Sequence, residues 1–201
     1  MKVIVIGATG TIGAEIVTAL AGHEVITVSR SAGEYRADIQ DKASLEKLFA
    51  AIGEVDAIVS AAGGGAFKPI TELSDEDYAF SLGYKLMGQV NVIRTGMKYI
   101  KPGGSITVTS GTLARVAMPA AAAIGMINAG LEGFVRSAAL DLKGKVRLNV
   151  VSPPWVAETL SGMGQDPAGG QKAADVAKAY VKVITGTATG QIIDSQTGKA
   201  V

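Results

Sequence analysis

Residues 3–13 read Val3-Ile4-Val5-Ile6-Gly7-Ala8-Thr9-Gly10-Thr11-Ile12-Gly13, four apolar residues running into glycines at positions 7, 10 and 13. A short, uninterrupted apolar run is the mark of a strand buried on both faces of a parallel sheet. Beyond it, Ile12, Ile16 and Leu20 recur every four positions, which predicts a helix with one apolar stripe over Thr11–Ala21. The glycines therefore sit at a strand-to-helix turn. There they let the backbone approach a pyrophosphate, and the free N–H groups of the helix N-terminus add positive potential. Three glycines alone are weak evidence, and a tight structural turn is the alternative. The strand before and the helix after are the context that favours phosphate binding.

Similar apolar runs follow at Val25–Val28, Asp56–Ser60, Ser105–Ser110, Val146–Val151 and Gln191–Asp194. Between them lie segments of helical period. Ser74 is placed to cap a long helix to about Ile100, with Asp75, Glu76 and Asp77 at its positive end. Pro119 to about Leu142 is a second, alanine-rich helix, and Ala173–Ile184 is the last. Alternation of this kind predicts a doubly wound, Rossmann-type α/β sheet, parallel throughout, in one domain spanning 1–201. From Val28 to a possible strand near Tyr35–Ala37 there is no room for a crossover helix, so a weak third strand is expected there. Gly162–Gly170 reads as a mobile loop.

Composition narrows the function classes. The chain has 201 residues, 48% hydrophobic and 5% aromatic, with 26 glycines, so small residues supply much of the packing. Its 19 basic and 18 acidic residues are scattered, leaving no basic stripe for nucleic acid. Without cysteine there are no disulfides and no thiolate metal site, and no metal is expected. The first apolar run is too short for a signal-peptide core, and no later run approaches a membrane span, so a cytoplasmic protein is expected.

The second strand ends at Ser29-Arg30-Ser31. An acidic residue at that place accepts hydrogen bonds from a ribose 2′-OH and repels a 2′-phosphate; a guanidinium flanked by hydroxyls suits the phosphate. A solvated surface arginine is the alternative. Asp38-Ile39 follows where an adenine would meet a carboxylate and an apolar wall. These features together point to NADP(H).

Further motifs carry a family resemblance over nearly the whole chain. Ser60-Ala61-Ala62-Gly63, Gly104–Ser110, Ala129-Gly130-Leu131-Glu132-Gly133-Phe134-Val135-Arg136-Ser137 and Val146–Pro153 resemble segments of the short-chain dehydrogenase/reductase family. They correspond to its turn after the fourth strand, its fifth strand, its Tyr-x-x-x-Lys helix and its sixth strand. The resemblance implies that NADP(H) is held by Gly7, Thr9, Gly10, Thr11 and Ile12 of the loop. Ser29, Arg30, Ser31, Asp38 and Ile39 would follow, then Ala61, Ala62, Gly63, Lys85, Ser110, Pro153 and Val156.

The resemblance fails at the chemistry. Its register puts Ile124 at the family's tyrosine, Asn128 at its lysine, Lys85 at its asparagine and Gly111 at its serine, with Ser110 just before. Lysine and asparagine have thus exchanged places, and Lys85 would bring an ammonium to the nicotinamide ribose or a substrate oxygen from the opposite helix. A solvated helix lysine is the alternative. Lys85 and Ser110 are the candidate catalytic pair. Tyr78, seven residues before Lys85, should share its helix face, whereas Tyr84 should point elsewhere. His23 reads as structural, and Trp155 as either a roof for the nicotinamide or a packing residue.

Two functions lead, ahead of a substrate-binding isomerase or lyase on the same fold. One is an NADP(H)-dependent oxidoreductase acting on a small carbonyl or other unsaturated compound through a non-standard proton donor. The other is a non-catalytic NADP(H)-binding redox sensor or partner subunit. In either case the resemblance implies a homodimer or homotetramer through the helices Ser74–Ile100 and Pro119–Leu142.

Overall fold

The computed structural model describes residues 1–201. Seven strands form one sheet: β1 Lys2–Ile6, β2 Glu24–Ser29, β3 Tyr35–Arg36, β4 Val55–Ser60, β5 Ile100–Thr109, β6 Arg147–Ser152 and β7 Ile192–Asp194. Their order is β3-β2-β1-β4-β5-β6-β7, and every pairing is parallel. The helices are α1 Thr11–Ala19, α2 Lys42–Ile52, α3 Asp75–Ser81, α4 Gly88–Gly96, α5 Ala122–Asp141, α6 Ala157–Gly162 and α7 Ala173–Thr185.

The period-two alternation of the strands divides the core. Ile4, Ile6, Ile58, Ile106 and Val108 face one way, into a layer with Leu45 and Phe49 of α2, Val90 and Ile93 of α4, and Leu131 of α5. Val3, Val5, Ala57 and Val59 face the other way, against Ile16 of α1 and Val176, Tyr180 and Val183 of α7. The strands are therefore apolar on both faces because helices cover both. No helix is long and apolar enough to cross a membrane.

The weak third strand is present as two residues, paired with Val28 and Ser29. Only Arg30–Glu34 connects β2 to it. The reversal is possible because Ser29 Oγ accepts from Ala32 N at 2.9 Å and Gly33 adopts a φ of +93°.

Four expectations need correction. The helix predicted from Ser74 is interrupted: Ser74 makes a capping box with Asp77, but Leu82–Met87 forms a π-helical turn between α3 and α4, and Ile100 already belongs to β5. The alanine-rich helix begins at Ala122 rather than Pro119, after Ala120 takes the left-handed φ of +63° that no helix tolerates. Sequence reading also passed over α2, whose Leu45, Leu48, Phe49 and Ile52 give it a clear apolar face, capped by Asp41. Finally, α6 takes up Ala157–Gly162, and Pro167–Gly169 forms a 3₁₀ turn inside the stretch read as a loop.

Candidate active site

The carboxyl ends of β1, β2 and β4 open into a cleft of about 300 Å³. Its walls include Gly7, Thr9 and Gly10 from the glycine loop; Ser29, Arg30 and Ser31 from the end of β2; Asp38 and Ile39; and Ala61, Ala62 and Gly63 after β4. Eleven of the sequence-derived cofactor residues thus meet in one place. The loop itself is tightly built. A Cβ on Gly13 would lie 1.9 Å from Gly7 O, so only glycine lets the first turn of α1 rest on the strand end. Gly10 caps α1 without a side-chain hydrogen bond, and the N–H groups of Thr11, Ile12 and Gly13 have no partner within the chain. Three free donors at the positive end of a helix, beside a cleft, are able to accept a phosphate group.

Behind the Gly63 wall, outside the cleft lining itself, two helices converge on Ser110–Gly111. Lys85, in the π-helical turn, donates from Nζ to Ser110 O at 3.2 Å. Its stem lies on Gly63, whose φ is +110° and whose missing Cβ would come within 2.9 Å of Lys85 Cα. Burial disfavours the ammonium and pulls the Lys85 pKa down to about 8. From α5, Asn128 Nδ2 lies 3.0 Å from where a Cβ on Gly111 would be; the amide fills the space of a side chain at that position. Asn128 is 2% exposed, and its Oδ1 has no hydrogen-bond partner. A buried carbonyl oxygen left unpaired is costly unless a ligand completes it.

The Ser110 hydroxyl turns away from Lys85 and donates to Glu132 Oε1 at 2.8 Å. Glu132 is buried and receives two hydrogen bonds from Arg115 Nη1, at 2.6 and 2.7 Å, while Arg115 Nη2 donates to Ser152 Oγ at 3.0 Å. This network ties the ends of β5 and β6 to α5. Sequence reasoning missed it, although a glutamate in the apolar stripe of Ile127, Leu131 and Val135 was a visible signal. Gln89 contributes in the same way, exchanging hydrogen bonds of 2.8 and 2.7 Å with Thr109 N and O.

Thr11, Ile12, Lys85 and Ser110 are not part of the cleft lining, and other expected site residues also fall outside it. Pro153 and Val156 are buried: Pro153 O accepts from Thr112 N, and Val156 caps α6. Trp155 meets Phe67 edge-on at 5.3 Å, and its Nε1 contacts Met118 Sδ at 3.5 Å, so its ring packs on apolar neighbours. His23 lies beside the N-terminal amine, at the opposite edge of the sheet. Tyr84, expected to point elsewhere, lines the cleft.

The family described as enoyl-(acyl carrier protein) reductase matches residues 7–189. The chain belongs to this short-chain dehydrogenase/reductase family. Among solved structures similar to this family member is the protein lin1944 from Listeria innocua, 35% identical with a TM-score of 0.91, covering 96% of this chain and 98% of that one. A small-chain dehydrogenase in complex with NADPH is 29% identical with a TM-score of 0.85, covering 96% and 94%. The hydroxynaphthalene reductase arp2 of Aspergillus fumigatus is 28% identical over 148 residues, which are 69% of this chain and 54% of that protein. The chain spans about half the length of the curated relatives it matches.

Proposed function

We propose that the protein is an NADP(H)-dependent oxidoreductase of the short-chain dehydrogenase/reductase type, acting on a small carbonyl or other unsaturated compound. The residues present suit that cofactor. The N–H groups of Thr11 and Ile12 are free beside the Gly7–Gly10 wall of the cleft, Arg30 and Ser31 offer a positive, hydroxyl-bearing rim, and Ile39 supplies an apolar wall. The similar structure determined with NADPH supports the same choice. When bound, the nicotinamide supplies hydride chemistry.

One observation carries the catalytic reading: Lys85 is held at Ser110 O with its pKa lowered to about 8. Isoleucine cannot donate a proton, so on the register of the resemblance Ile124 leaves the usual donor position empty of acid. Lys85, packed behind the Gly63 wall of the cleft, is the basic group that the register of the resemblance puts nearest that position. Its ammonium, predominant below pH 8, can hold a ribose hydroxyl or give a proton to a substrate oxygen. Ser110 fixes it through its carbonyl, and Glu132 fixes Ser110 through the hydroxyl.

NADPH consumption over a panel of quinones, aldehydes, ketones and imines tests this. Turnover that disappears in Lys85→Met supports it. A tight NADPH complex with no turnover on any compound establishes instead a non-catalytic binding protein. Exposed Phe80, Met87 and Met126 on the α3–α4 and α5 helices suit self-association into a dimer or tetramer; a monomer by light scattering at micromolar concentration would exclude that.

A further inference from the structure

Arg30 stands at the carboxyl end of β2 with no opposite charge to hold it. It is absent from every ion pair of the chain, and its guanidinium makes no hydrogen bond to another side chain or to the backbone. Its neighbour Ser29 cannot steer it, because Ser29 Oγ also donates to Ala32 O at 2.5 Å and so closes its own turn. One contact directs the side chain. Arg30 Cζ lies 5.7 Å from the centroid of the Tyr84 ring, within the range of a cation–π interaction. That ring lines the same cleft as Ser31, Asp38 and Ile39, and Phe80 backs it at 5.5 Å.

The position of Tyr84 has a backbone cause. In a regular α-helix, neighbours diverge by about 100° around the axis, so Tyr84 and Lys85 could not serve one groove well. The π-helical turn Leu82–Met87 widens the helix by a residue and narrows that angle. Tyr84 then lines the cleft with the β2 end while Lys85 reaches Ser110.

We infer that Tyr84 is a specificity-determining residue, its ring holding the Arg30 guanidinium over the cleft in the pose that meets a 2′-phosphate. The inference rests on the NADP(H) reading above. It concerns the ring and not the hydroxyl: an exposed guanidinium samples many rotamers, and a π-face that selects one of them reduces the entropy lost when the phosphate arrives.

The test is a titration of the full-length protein and its variants with NADPH and with NADH, followed by cofactor fluorescence. In Tyr84→Leu the ratio of the two dissociation constants should shift about two- to fivefold against NADPH, the size of an exposed cation–π contact. Tyr84→Phe should keep the wild-type ratio. On an Arg30→Ala background, Tyr84→Leu should leave the ratio unchanged. If Tyr84→Leu unfolds, Tyr84→Met keeps the apolar bulk without the ring and should give the same shift. Equal weakening of both cofactors makes Tyr84 a plain adenine wall and overturns the inference. A loss in Tyr84→Phe as large as in Tyr84→Leu overturns it too, in favour of a hydroxyl–phosphate hydrogen bond. An unchanged ratio in Tyr84→Leu, with NADPH still bound tightly, defeats the inference and spares the NADP(H) reading; a wild-type protein that binds neither cofactor defeats both.

Discussion

The glycine-loop end of the cleft and the Lys85 cluster behind its Gly63 wall are built by different means. At the glycine-loop end the contacts are made largely by main chain: free N–H groups at the start of α1, a strand end, and glycines that hold the first helical turn against Gly7 O. At the Lys85 cluster everything depends on side chains from separate elements, namely Lys85 in the π-helical turn, Ser110 after β5, and Asn128 and Glu132 on α5. Main-chain sites tolerate sequence change around them, whereas a side-chain site changes its chemistry with each substitution. A main-chain glycine-loop end can therefore persist across a family while the side chains at the other cluster vary.

The largest effect should come from the Lys85 cluster. Lys85→Met should reduce turnover by about a hundredfold or more, the usual contribution of a positioned proton donor. In the unmutated protein the rate should fall as pH rises through about 8, because the ammonium is the form that gives the proton. The stability effect has the opposite sign. A lysine whose folded pKa lies below its unfolded value destabilises the fold at pH values below about 8, and that penalty fades as pH rises toward the unfolded pKa. The melting temperature of apo Lys85→Met at pH 7 should thus be equal to or above wild type. A fall in both activity and melting temperature would mean that Lys85 is structural.

At the glycine-loop end, Gly13→Ala should destabilise the fold by roughly 2–3 kcal/mol and abolish cofactor binding, since the added methyl meets backbone that cannot move aside. Urea denaturation and NADPH titration check both parts; a stable, binding-competent variant would show that the loop has more slack than its packing implies.

Glu132→Ala should cost about 2 kcal/mol, less than a fully buried pair because Arg115 is 30% exposed and can turn to water. Kinetics separate its role from Lys85's: if Glu132 acts only by fixing Ser110, the pH profile moves while a residual rate survives. An unchanged profile would confine Glu132 to stability.

Arg30→Ala should be the mildest of these, weakening NADPH about tenfold and NADH hardly at all, as expected for one charge-assisted contact. Equal loss for both cofactors, measured by titration, would make Arg30 part of the general wall.

Much of this was legible in the chain itself. Each strand run found in the sequence became a strand, because burial on both faces demands a continuous apolar stretch whatever its neighbours are. The glycine loop, Arg30, Asp38 and Ala61–Gly63 meet in the cleft for a topological reason: in a parallel sheet all the strand carboxyl ends share one edge. The tyrosine beside the cleft was misplaced because regular 3.6-residue geometry was assumed through Leu82–Met87, where the helix widens. The ion pair of Glu132 with Arg115 went unseen because its partners are 17 residues apart, on a loop and a helix whose relative placement no periodicity encodes.

By itself the sequence determined the strand–helix alternation and the sheet edge where the glycine loop, Arg30 and Ala61–Gly63 gather. These follow from local pattern and from the rules of parallel sheets, which hold independently of detailed packing. Only the tertiary structure decided that Lys85 reaches Ser110 through its carbonyl, that the Ser110 hydroxyl belongs to Glu132, and that Tyr84 turns its ring under Arg30. Those outcomes depend on one extra residue in a helical turn and on which of several polar partners lies within about 3 Å, and hydrogen-bond energies fall too steeply with distance and angle for spacing along the chain to choose among them.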